Sequence, residues 1–215
     1  MTSFPNAGGG AIVVEMAGRI VENRAYLSEI DGRIGDGDHG VNMAKGFGMA
    51  AERLGDGSDA SLDRAMAVLG EVLMGEIGGS MGPLYGMMFT EFSEAVEGRE
   101  TIDAQAFSSM LHKGLEGVQS IGSAKVGDKT LIDAFVPAVN AFDATIAEGR
   151  PFAEALDALV AAAEAGRDST IDLVARLGRA SRLGERSRGV LDAGATSCAM
   201  ILASLARGAA ARLSD

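Results

Sequence analysis

The sequence predicts an all-α fold: an eight-helix, up-and-down antiparallel bundle that closes into a helical barrel. Apolar residues recur at helical spacing in eight successive segments. No segment alternates apolar and polar residues in the manner of a half-buried strand, and nothing repeats at a fixed period. The connections are short, which favours antiparallel neighbours. With 215 residues the chain can bury a sizeable core, and one domain over residues 1–215 is expected. Hydrophobic residues make up 47% but aromatics only 5%, with no Trp, so the expected core is Ala, Leu, Val, Ile and Met.

Residues 9–30 place Ile12, Met16, Ile20, Leu27 and Ile30 on one face as a first helix. After Gly40, a second helix carries Val41, Ala44, Phe47, Ala51 and Leu54 and stops at Gly55-Asp56-Gly57. Ser58 or Asp59 can cap a third, with Leu62, Ala65, Leu69 and Leu73 inside, ending at Gly78-Gly79. Pro83 suits the first turn of a fourth, which buries Leu84, Met88, Phe89 and Phe92. A fifth starts at Thr101 or Asp103 and carries Phe107, Met110, Leu111, Leu115 and Val118. A sixth runs from near Thr130 to about Glu148, with a kink expected at Pro137. A seventh runs from Phe152 towards Leu177; residues 178–194 look irregular; an eighth runs from Ala195 to about Leu213.

A net charge of −11 argues against general affinity for nucleic acid or an anionic membrane surface. No apolar run reaches the roughly 18 residues of a membrane span, and no leader pattern opens the chain. A single cysteine, Cys198, rules out an internal disulfide and is expected to be a small buried residue. A reducing, cytoplasmic setting follows as the expectation.

In an up-and-down bundle alternate loops share an end. Residues 31–40, 78–82, 121–130 and 178–194 fall at one end, and these are the glycine-rich, polar loops. The connections near 55–58, 97–102 and 149–151 read as plain turns. Function is therefore expected at one end.

The first of these loops carries the strongest chemistry. Asp31, Asp36 and Asp38 lie within eight positions, separated by glycines. Close carboxylates repel, and a bound divalent cation is the simplest compensation. Mg²⁺ prefers such oxygens and is commonly completed by phosphates. Two Mg²⁺ bring about four positive charges against about six from three carboxylates and a diphosphate. Lys129, Arg179 or helix N-termini can meet the remainder. An EF-hand fails on spacing, since Arg33 and Gly35 stand where oxygen donors are needed. Zinc would want more than two histidines and one cysteine. On spacing alone, an acidic capping turn without metal stays open.

His39 and Asn42 begin the next helix and can touch a phosphate or a base, or serve only as capping and solvent-facing residues. Gly78-Gly79-Ser80-Met81-Gly82 opens a helix whose free N–H groups suit phosphate. Gly127-Asp128-Lys129-Thr130 lacks the P-loop spacing. The stretch from Gly178 to Gly189 is basic within an acidic chain: a solvated loop, or a lid that touches phosphate. His112, mid-helix, reads as structural.

Taken together the motifs resemble the nucleotide-binding L subunit, or C-terminal domain, of dihydroxyacetone kinases. The resemblance rests on Gly35-Asp-Gly-Asp-His-Gly40, Gly78-Gly79 with Gly82-Pro-Leu-Tyr-Gly86, Gly127-Asp-Lys-Thr130, Gly178-Arg-Ala-Ser181 with Leu183-Gly-Glu-Arg186, and Asp192 with Gly194-Ala-Thr196, in the family's order. It implies an eight-helix barrel with ADP or ATP and two Mg²⁺ at one end. Asp31, Asp36 and Asp38 become the metal ligands. His39, Asn42, Ser80, Met81, Thr130, Arg179, Asp192 and Gly194 fall where the family contacts nucleotide. Ser80-Met81 departs from the family's small residue followed by Ser. The resemblance also implies a partner, a substrate-binding kinase subunit that holds the small ketose or tetrose, and in some members a phosphotransferase-system phosphocarrier. The alternative is a non-enzymatic regulatory protein of the same fold that signals nucleotide state.

Overall fold

The computed structural model describes residues 2–214. Its elements are β1 (Ser3–Pro5), α1 (Gly10–Glu22), α2 (Arg24–Ile34), α3 (His39–Leu54), α4 (Leu62–Glu76), α5 (Met81–Val96), β2 (Thr101–Asp103), α6 (Ala104–Ile121), α7 (Ile132–Ala147), α8 (Phe152–Ser169) and α9 (Ala193–Ala210). Short 3-10 turns cover Thr170–Asp172 and Arg179–Ser187. The helices form a ring. From α3 through α9 each packs on the next, and α1 lies between α9 and α3 to close it. The all-α barrel expected from periodicity is what the chain builds.

Close approaches fix the antiparallel order. Gly70 on α4 faces Thr90 and Gly86 on α5, while Gly82, earlier on α5, faces Leu73, later on α4, and Ile77, just past its end. On the other side of the ring Gly166 of α8 lies against the Asp133 carbonyl of α7. Pro137, four residues on, has no N–H to offer that carbonyl. A methyl group on Gly166 would collide with it, so the proline and the glycine together set how closely α7 and α8 pack.

The interior corrects one compositional expectation. Aromatics are few, but all eight phenylalanines are buried. Phe4, Phe107, Phe142 and Phe152 cluster with centroids 5.3–6.4 Å apart. Phe47, Phe89, Phe92 and Phe135 form a second, edge-to-face row. Ala, Leu, Val, Ile and Met make the helix contacts, and phenylalanine fills the space the ring encloses.

Three boundaries differ from the sequence reading. The expected first helix is two, because Asn23 donates its side-chain N–H to the Arg19 carbonyl at 2.8 Å and takes the place of the next turn. The seventh helix stops at Ser169 rather than near Leu177, where Ser169 and Thr170 hydroxyls bond back to Gly166 and Arg167 carbonyls. Residues 179–187 coil into 3-10 turns, with Ser181 and Ser187 donating to the carbonyls three residues earlier. The short ladder β1–β2 has no counterpart in the helical periodicity, and Ser3 and Ser214 beside it exchange backbone hydrogen bonds of 3.0 and 2.9 Å. Among the described residues no helix is long and apolar enough to cross a membrane.

Candidate functional site

The four polar loops meet around one cavity of about 380 Å³ at one end of the ring. Asp31, Asp36, Asp38, His39, Asn42, Ser80, Met81, Thr130, Arg179, Asp192 and Gly194 all line it. Gathering these residues from five stretches of chain is the work of the up-and-down topology.

Asp31 lies on the last turn of α2 and not in the loop itself, and its Oδ2 accepts the His39 backbone N–H at 3.4 Å. Asp38 occupies the N-cap of α3 without using its side chain there. One carboxylate oxygen from each of Asp31, Asp36 and Asp38 falls within 4.8 Å of the others. Arg179, carried in at the start of the 3-10 segment Arg179–Ser187, pairs with Asp36 and lies 3.7 Å from Asp38. A guanidinium thus offsets part of the repulsion within the cluster. Gly40 lets the start of α3 sit directly on α2, since a Cβ there would fall 2.1 Å from the Arg24 carbonyl oxygen.

At the second loop Gly79 turns with φ +76°, and α5 begins at Met81. Ser80 is exposed, makes no capping bond and lines the cavity, so the first turn of α5 has no side-chain cap where it borders the cavity. Met81 is buried against the core.

Asp133 organises the third loop. It is 2% exposed, and its two carboxylate oxygens accept the N–H groups of Gly127 and Thr130. Lys129 has φ +64°, and its Nζ donates to the carbonyls of Thr170, Leu173 and Val190 at 2.6, 3.2 and 2.6 Å. This overturns the expectation that Lys129 neutralises phosphate. Its ammonium is turned away to clamp the segment that carries Arg179. Burial, foremost among the causes, lowers its pKa.

Asp192 caps α9, accepting the Ala195 N–H at 2.7 Å. Burial raises its pKa to about 7. His39 goes the other way. Its ring loses solvation on the inner side and its pKa falls to about 4, although Asp31 pulls it up. The His39 Nε2 sits 2.9 Å from Ser197 Oγ, which lies 2.7 Å from the Tyr85 hydroxyl. Tyr85 in turn donates to the Gly194 carbonyl at 2.9 Å.

Asp133, Tyr85 and Ser197 were not singled out as site residues in the sequence. Tyr85 sits within the quoted Gly82–Gly86 motif, but nothing in spacing says that its hydroxyl points at α9. Leu84, Val118, Leu131 and Ile132 add an apolar wall to the cavity. Cys198 is fully buried, with its thiol pKa pushed up by burial. His112 lies away from the cavity on α6, where its Nε2 is 2.6 Å from Asp143 Oδ2 of α7.

Comparison with known proteins agrees with this geometry. The family described as the DAK2 domain matches residues 33–207. The ADP-binding subunit DhaL of PEP-dependent dihydroxyacetone kinase 2 from Listeria innocua is 38% identical over 195 residues, 90% of each chain. The ADP-binding subunit DhaL of the PEP-dependent dihydroxyacetone kinase of Escherichia coli is 38% identical over 181 residues, 84% of this chain and 86% of that one. The dihydroxyacetone kinase of C. freundii, solved with AMP-PNP and Mg²⁺, superposes with a TM-score of 0.67 at 27% identity. It matches 94% of this chain, which spans 34% of that longer one.

Proposed function

The chain belongs to the DAK2 domain family, and from that premise we propose that it is the nucleotide-binding, phosphoryl-transferring subunit of a kinase for dihydroxyacetone or a related small ketose or tetrose. The observation that carries this reading is the meeting of three carboxylates, a helix N-terminus and Arg179 in one cavity large enough for a nucleotide's phosphates.

The donor set fits a hard divalent cation. Asp31, Asp36 and Asp38 would hold Mg²⁺, two ions by charge balance, with ADP or ATP phosphates completing the shell. The metal, when bound, spreads the charge of the transferred phosphoryl group. The chain's own residues position. The N–H groups at the start of α5 and the Ser80 hydroxyl donate to phosphate oxygens, and Thr130 and Arg179 close over them. The wall of Leu84, Val118, Leu131 and Ile132 suits a nucleobase. Asn42, Met81, Asp192 and Gly194 shape the floor.

The single domain over residues 1–215 does not act alone in this reading. Relatives of matching length are named as subunits. A substrate-binding subunit presents the sugar hydroxyl to the cavity mouth. In the cytoplasm, a bound ADP recharged by a phosphocarrier protein is the preferred source of the phosphoryl group, as the PEP-dependent relatives suggest. Isothermal calorimetry tests the core of the proposal. ADP is expected to bind with Mg²⁺ and to bind far more weakly in EDTA. Equal affinity in both would overturn it. A purified chain that phosphorylated dihydroxyacetone from ATP unaided would overturn the need for a partner.

A further inference from the structure

On the outer wall of the ring a second cavity, of about 100 Å³, lies between α1 and α8 with α9 as its floor. Ala199 and Ala203, one turn apart on α9, are nearly buried, so the floor is recessed behind the two flanking helices. Three arginines from three helices line the opening: Arg19 of α1, Arg167 of α8 and Arg207 of α9. Among the lining residues Glu164 is the one carboxylate. Three positive charges thus share one negative, in a chain whose net charge is −11.

The guanidiniums are short of partners. Arg207 comes no nearer than 3.8 Å to Glu164, beyond hydrogen-bond reach. Among the described residues the Arg19 side chain has neither a hydrogen bond nor an ion pair. Arg167 donates through Nε alone, to Asp168 at 2.8 Å, although its side chain is only 26% exposed. A guanidinium carries five N–H groups, so this half-buried one keeps donors in hand that bulk water reaches poorly. Arg53, Lys113 and Arg212, by contrast, each stand beside a carboxylate of their own. Converging like charges repel, and an anion held between them is the simplest compensation.

We propose that this wall cavity binds a tetrahedral oxyanion, either free phosphate or the phosphate group of a small metabolite. Its volume admits one phosphate group and leaves any attached carbon chain in solvent. Planar guanidinium forks match paired phosphate oxygens and stay charged at every physiological pH. The Ser204 hydroxyl, which donates to the Met200 carbonyl at 2.9 Å, lines the same cavity and is a further donor within it. A divalent cation has no place here, because it needs several oxygen ligands and meets three guanidiniums instead. Glu164 opposes the anion and keeps its binding modest. The proposal does not rest on the nucleotide reading, since this cavity opens through the wall of the ring and the other opens at its end.

Spectra of the metal-free full chain labelled with methyl-¹³C methionine read both cavities at once, because Met200 lines this one and Met81 the other. Met200→Leu and Met81→Leu identify the two signals among eleven. Titration with sodium phosphate, at an ionic strength held constant with chloride, is expected to move Met200 to saturation. Arg19→Gln and Arg207→Gln, both at exposed positions, should each raise the midpoint about tenfold, as for the loss of a charged hydrogen-bond donor. Glu164→Gln should lower it severalfold. Glycerol phosphate, titrated alongside, separates the two sources: a midpoint below that of phosphate assigns the cavity to a phosphorylated metabolite, and one above it to free phosphate. A Met200 signal that never saturates overturns the proposal, as does a midpoint unchanged in both arginine variants or raised in Glu164→Gln. A phosphate response confined to Met81 overturns it as well.

Discussion

The Nζ of Lys129 donates to the carbonyl oxygen of Val190 across 2.6 Å, and through this bond the third loop of the site holds the fourth. The same ammonium also reaches Thr170 and Leu173, so one side chain closes off three carbonyls of a segment with little regular structure. Hydrogen bonds from a charged donor are each worth roughly 1.5–3 kcal/mol, and orphaned buried carbonyls add their own cost. Lys129→Met is expected to lower stability by about 2–4 kcal/mol in urea unfolding. It should also weaken ADP binding, because the released segment carries Arg179. A variant as stable as the parent would show that the clamp contributes nothing.

Asp36→Asn keeps the shape of an exposed side chain and removes one charge from the cluster. Stability should change by no more than about 0.5 kcal/mol, as for most surface substitutions. The Mg²⁺-dependent part of ADP binding should disappear. Calorimetry with and without EDTA separates the two effects, and retained metal dependence would remove Asp36 from the ligand set.

His39 and Asp192 oppose one another in their effect on acid stability. The His39 pKa drops from 6.5 to about 4 on folding, so the unfolded chain binds the extra proton in that window. The stability this contributes is present above about pH 6.5 and lost as the pH falls towards 4. The Asp192 pKa rises from 3.8 to about 7, so here the native chain holds the extra proton. That contribution is present below about pH 4 and lost as the pH rises towards 7. Each amounts to at most about 1.4 kcal/mol per pH unit. Urea midpoints of the metal-free chain at about pH 4.5 and about pH 6.5 resolve them. Asp192→Asn, which can still cap α9, should gain stability relative to the parent as the pH rises. His39→Gln should gain relative to the parent as it falls.

Gly40 has no room for a side chain. A methyl group there would meet the Arg24 carbonyl oxygen and the Ser28 backbone nitrogen, neither of which can swing aside. Gly40→Ala should force α3 away from α2, at a cost of about 2 kcal/mol or more. The carboxylate cluster straddles that joint, so metal affinity should fall with stability. A tolerated alanine with unchanged Mg²⁺ affinity would contradict the packing argument.

Much of this is legible in the sequence. Helical period placed the barrel, and alternation of loops placed Asp31, Asp36, Ser80, Thr130, Arg179 and Asp192 at one end. What stayed hidden depends on single side chains acting on the backbone. Asn23 ends α1 with a bond that periodicity does not register. Lys129 looked like a phosphate ligand because charge and position favour that role, and only its left-handed backbone and three carbonyl partners turn it inward. Asp133 reads as an ordinary acidic residue in a first helical turn, yet it fixes the third loop from within. Ser197 lies within an Ala-rich helix whose pattern says burial and nothing about a hydroxyl chain.

The backbone pairing of Ser3 with Ser214 makes the barrel a nearly seamless loop of chain, joined at the end opposite the cavity. A circular permutant should therefore be tolerated, with a short linker from residue 214 to residue 3 and new ends cut in the turn at residues 97–100. All four cavity loops would survive that cut unbroken. A label or tether attached at residue 3 or residue 214 would emerge about one helix length from the cavity, roughly 24 Å for the 16 residues of α3, and leave its mouth clear.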